Sequence, residues 1–153
     1  MKVYHQLTLV LILLFSFSSS DAQNGTKFQV QKALTLWNDA AKHANLEKFM
    51  SFFDESENIM LVGSDSGEIF KGKKQIRSWL GGLFEHHSFQ WEMNRIDIDS
   101  YQNTTWVFVD GAMIVTNDKG NRNKTPYRFS GVLIKKGNQW KWRLFDGSIP
   151  KGE

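Results

Sequence analysis

The sequence predicts an α+β domain in which three helices come first and a strongly curved antiparallel sheet packs around them. Three observations carry that prediction. Apolar residues recur at helical spacing as far as Phe84, the period then changes to two, and the alternating segments are separated by short turn-forming stretches rather than by further helices. A length of 153 residues with 41% hydrophobic and 14% aromatic side chains supports one domain with one core and excludes a disordered polymer.

The first helix spans Phe28 to Ala44, where Val30, Leu34, Trp37 and Ala41 form one stripe at steps of four, three and four. Asn45 is a plausible N-cap for a short second helix carrying Leu46, Phe49, Met50 and Phe53. Ile59 to Val62 reads as a short strand and Ser64 to Gly67 as a turn. A third helix, Lys73 to Phe84, carries Ile76, Trp79, Leu80 and Leu83. Beyond it Phe89, Trp91 and Met93 alternate with polar residues, the phase slips at Asn94-Arg95, and Ile96 and Ile98 resume, which predicts a bulged, bent strand. Trp106 to Thr116, Tyr127 to Lys136 and Trp140 to Ser148 are three further strands, the last two joined by a tight Gly137-Asn138 turn.

Ahead of the domain lies a short polar start with Lys2 and His5, an apolar run from Leu7 to Phe17, and the small-x-small triplet Ser20-Asp21-Ala22. That is the form of a secretory signal peptide, and the run falls well short of the roughly twenty residues of a membrane-spanning helix. The expected organisation is a signal peptide at 1–22, a leader at 23–27 and the folded domain at 28–150. Export to a periplasmic or extracellular space follows, with no stable membrane anchor after cleavage. Losing one Lys and one Asp leaves the formal charge of +3 unchanged. Without cysteine the exported domain has no disulfide framework and no thiolate metal site. Asn24-Gly25-Thr26 and Asn103-Thr104-Thr105 match the glycosylation sequon.

Trp106 to Thr116 is apolar on both alternations, so both of its faces need cover. The helices cover one. A second copy of the chain is a natural cover for the other, which predicts a homodimer through the sheet; shielding by long neighbouring side chains is the other solution.

The element order, Asn45-Leu46-Glu47 after the Trp37 helix, the run from Gly63-Ser64-Asp65-Ser66-Gly67-Glu68 to Gly72, Val109-Asp110-Gly111, and a Trp140 strand ending in Ser148-Ile149-Pro150 together resemble the SnoaL-like branch of the nuclear transport factor 2-like superfamily. The resemblance covers about residues 27 to 150. It implies a cone: a curved sheet wrapped around helices, enclosing an apolar pocket open at one end, often dimeric through the sheet. Residue by residue, its known chemistry does not carry over. Where the family's ketosteroid isomerases have a tyrosine, a general base and a proton-donating aspartate, this chain has Trp37, Leu61 and Ser130. The histidine that SnoaL-like enzymes often carry near the end of the last strand is replaced by Leu144-Phe145-Asp146-Gly147-Ser148.

Two carboxylates are the catalytic candidates. With a two-residue turn at Gly137-Asn138, Phe129 stands opposite Asp146, and a regular turn around Lys119-Gly120 places Asp110 beside Phe129, so that both acids share a row in the pocket and one pKa rises. A slip of one residue instead pairs Asp110 with Arg128 and leaves Asp146 to bind backbone amides. Trp37, Phe53, Trp91 and Phe129, with Arg128, are the candidate ligand-binding residues, because six Trp in one cone make an aromatic lining. No metal site is expected: His86 and His87 are sequence neighbours without a third ligand at helical spacing. No phosphate loop or dinucleotide fingerprint occurs, so no cofactor is expected. The basic patch Lys71, Lys73, Lys74 and Arg77 reads as a solvated helix face rather than a nucleic-acid surface. The leading expectation is an exported domain that binds a small apolar or amphipathic molecule, with an acid-base enzyme using Asp110 and Asp146, or a dimeric association module, as alternatives.

Overall fold

A computed structural model describes the backbone of residues 3–151 and the side chains of residues 23–151. Three helices, α1 (Val3–Lys42), α2 (Leu46–Met50) and α3 (Lys73–Phe84), pack with six strands: β1 (Met60–Val62), β2 (Ile69–Lys71), β3 (His87–Tyr101), β4 (Thr104–Asn117), β5 (Arg122–Lys136) and β6 (Gln139–Ser148). The strands form one curved sheet in the order β2-β1-β6-β5-β4-β3, so the fold is the α+β cone that the sequence implied. Its pairings are antiparallel except that β1 runs parallel to β6, with Leu61 opposite Phe145. Between the Ser64–Gly67 turn and α3 the chain forms a three-residue strand, β2, that its sequence pattern does not mark. Helix α1 is continuous through 3–42, and the segment expected to be removed on export, 1–22, lies outside the residues whose side chains are described.

The helix stripe read from spacing is the inner wall of α1, with Val30, Leu34, Trp37 and Ala41 all at most 1% exposed. Trp37 is the hub of the core. Its indole stacks on Trp91 at a centroid distance of 4.4 Å and on Phe49 at 5.1 Å, and Trp142 meets it edge-on at 5.4 Å. Beside it Asn38 closes the free edge of β3: its amide accepts from the Trp91 N–H and donates to the Trp91 carbonyl, each at 2.8 Å. Two backbone groups of an edge strand are thereby satisfied without another strand. Asn45 caps α2 as expected, its side chain accepting from the Lys48 N–H at 2.9 Å.

Two bulges bend the sheet. One lies between Met93 and Arg95, where the hydrophobic phase slips. The other lies at Arg143: Leu133 is opposite Trp142, yet Val132 is opposite Leu144. Here a methyl group on Gly131 would overlap the Leu144 carbonyl oxygen, so only glycine allows the strands to approach this closely. Past Arg143 the two faces of β6 exchange. Trp140 and Trp142 point into the cone, then Phe145 and Gly147 do, while Asp146 is exposed.

β4 shows how its second face is covered. Val107 and Val109 are buried against the helices, whereas Ala112 and Ile114, 7% and 5% exposed on the opposite face, lie under the Lys124–Glu92 ion pair that crosses β4 from β5 to β3. Shielding by neighbours therefore covers this half of the outer face. Trp106 and Phe108, at the other half, remain 47% and 36% exposed.

Candidate binding pocket

The inner cavity opens at the mouth of the cone, between α3, the β1–β2 loop and the inner face of the sheet, and holds about 190 Å³. Its walls are Trp37, Phe49, Phe84, Phe89, Trp91 and Phe145, closed from the side by Trp79 and Leu83 of α3. Trp79 is held in place by stacking on Phe70 of β2 at 4.5 Å, so the strand missed in the sequence is a support of the pocket wall. The polar part of the lining is Ser64, Asp65, Glu68 and Tyr127.

Tyr127 is placed by β5, where alternation sends Tyr127, Phe129 and Leu133 inward. Its phenol oxygen lies on Gly147 of β6, where a methyl group would overlap it. Burial pushes the phenol up to about 12; the nearby carboxylates of Glu68, Asp146 and Asp65 add to the rise, against which a Ser64 hydrogen bond acts. The group is therefore a neutral hydrogen-bond donor near neutral pH and not a base. The β1–β2 loop is held by its own bonds: the Gly63 N–H donates to the Glu68 carbonyl at 2.7 Å, and the Asp65 N–H donates to the Glu68 side chain at 3.0 Å. Those bonds fix the Glu68 carboxylate at the rim.

Of the residues expected to bind a ligand, Trp37 and Trp91 line this cavity. Phe53 and Phe129, each 1% exposed, are packed into the core behind the lining. Arg128 is outside the cone, where its Nε donates to Asp110 Oδ1 at 2.6 Å. The Asp110–Asp146 pair is corrected by the register. Asp110 is opposite Arg128, and Asp146 is opposite Ser130, because the loop after β4 and the Arg143 bulge each displace the pairing by one residue. The Asn117 side chain sets the first displacement, accepting from the Lys119 and Asn121 N–H groups at 3.1 and 2.9 Å and closing a loop longer than a tight turn. Both acids thus face outward, half-exposed or exposed.

Tyr127, Glu68, Asp65 and Ser64 were missed as site residues. Tyr127 shares the alternation of Phe129 and was legible from it; the loop residues have no periodicity to place them. Among the described residues no cluster of His, Asp or Glu is arranged to hold a metal. The basic patch is partly neutralised, Lys73 pairing with Glu55 and Arg77 with Glu47.

An α+β cone with an aromatic cavity at its mouth is the class of domain that the fold and the site define. The chain belongs to the SnoaL-like domain family, whose model matches residues 30–151. Among solved structures it is similar to an NTF2-like protein of Streptomyces avermitilis provisionally named a dehydratase, at 12% identity and a TM-score of 0.74 over 84% of this chain and 99% of that one. It is also similar to a Novosphingobium aromaticivorans protein provisionally named a scytalone dehydratase, at 12% identity and a TM-score of 0.76 over 86% and 89%. A third is an NTF2-like superfamily protein of Salmonella enterica, at 16% identity and a TM-score of 0.73 over 84% and 94%. No curated protein matches the sequence.

Proposed function

We propose that the protein is exported and that its mature domain binds one small apolar or amphipathic molecule in the mouth of the cone. The carrying observation is the cavity itself: about 190 Å³ of aromatic wall with one neutral phenol donor at its side. An engineered apolar cavity of about 150 Å³ accepts benzene, and drug-sized sites begin at about 300 Å³, so the occupant is a single-ring or short-chain molecule. Binding is preferred to the Asp110–Asp146 acid-base reading because both of those carboxylates stand outside the cavity. The dehydratase names belong to the neighbours, which at 12% identity bring the fold alone.

Export rests on the sequence of residues 1–22. The mass of protein released by its host tests it, an N-terminus at Gln23 being the expected result. Native mass spectrometry of that protein should show a retained or added small molecule, and Leu83→Trp, which fills the cavity from α3, should abolish its uptake while the fold is kept. Unchanged uptake in that variant contradicts the placement. A second reading concerns assembly: exposed Trp106 and Phe108 on the outer face support a homodimer through the sheet.

A further inference from the structure

We infer that the mouth cavity selects a small organic cation, an ammonium group carried on a ring or short apolar chain, over neutral and anionic molecules of the same size. The inference rests on the binding reading above and deepens it. Every charged side chain in the lining is a carboxylate: Asp65 and Glu68 stand at the rim, with no Lys, Arg or His among the lining residues. Neither acid has a cationic partner within ion-pairing distance among the described residues, whereas Asp110, Glu92, Glu47, Glu55 and Asp54 each have one. The sign is local, because the whole chain carries a formal charge of +3.

The walls suit the same ligand. A cation is attracted to the face of an aromatic ring, most strongly to indole, and more so where water is excluded. Trp79 and Trp91 supply indoles in the lining. The protein's own cations over rings, Lys48 at Phe52, Arg95 at Phe108 and Lys135 at Trp140, all lie elsewhere, so no internal cation competes at the mouth, where one face of Trp79 stacks on Phe70 and Trp91 stacks on Trp37. Tyr127 reports the local potential: Glu68, Asp146 and Asp65, the charged groups it senses, are all negative and all oppose its ionisation. An ammonium at the mouth meets carboxylates at the rim and aromatic faces below, while its apolar body fills the remaining volume.

The test uses three probes of one shape, benzylammonium, benzyl alcohol and benzoate, titrated near neutral pH onto the purified protein and onto the Asp65→Asn, Glu68→Gln variant. The expected result is benzylammonium tighter than benzyl alcohol by about tenfold and benzoate weakest, with the preference collapsing in the variant. A denaturation midpoint equal to that of the parent protein shows that the variant keeps its fold. Equal affinity for ammonium and alcohol, or a preference that survives the variant, overturns the cation inference and leaves the binding reading standing. Binding of none of the three overturns both.

Discussion

Tyr127 links burial to a measurable property. Its phenol is raised from 10.0 to about 12 in the fold, so the neutral form is favoured there. The stabilisation is complete below pH 10, where the unfolded phenol is also neutral, and is lost as pH rises through 12, because the unfolded chain releases its proton first. Chemical denaturation of the protein and of Tyr127→Phe should show their stability difference shifting against the tyrosine by about 2 kcal/mol across that window. A difference that does not change with pH contradicts the burial of this group. At the same scale Asp54, 5% exposed, is paired with Arg143, the residue that forms the β6 bulge. One ion pair thus fixes both a buried carboxylate and the point where β6 changes face.

The elements show what alternation reveals and where it stops. The α1 stripe, the Asn45 cap and the slip in β3 were legible because apolar residues mark the buried face on both sides of each feature. The β6 bulge was hidden: Leu144 continues the spacing of Trp140 and Trp142, so the pattern reads as unbroken while the backbone inserts Arg143. That single slip carried Asp146 from an expected pocket position to the outside. In the site, Trp37 and Trp91 were legible from the helix stripe and the strand period, while Asp65 and Glu68 sit on a loop whose side-chain directions come from its own hydrogen bonds. The close approach at the bulge predicts that Gly131→Ala costs about 1 to 3 kcal/mol, read as a lowered denaturation midpoint. A neutral substitution contradicts the register assigned here to β5 and β6.

For the whole molecule, the aromatic residues divide into three roles. Among the tryptophans, Trp140 and Trp142 are held in the core, Trp37, Trp79 and Trp91 line the mouth, and Trp106 stands on the outer face. The outer role predicts a dimer: sedimentation should give twice the monomer mass at micromolar concentration, and Trp106→Glu should return the monomer with its fold intact. A wild-type monomer at every concentration leaves the exposed ring without a partner of its own kind and contradicts the dimer. Among the described residues no helix is long and apolar enough to cross a membrane.

The central claim, one small molecule in the mouth of the cone, is tested most directly by following the six indole N–H resonances while benzyl alcohol is added. The account predicts saturable shifts at Trp37, Trp79 and Trp91, which line the cavity, with Trp106, Trp140 and Trp142 unmoved. Shifts confined to Trp106, or no saturable shift at any indole, would contradict it.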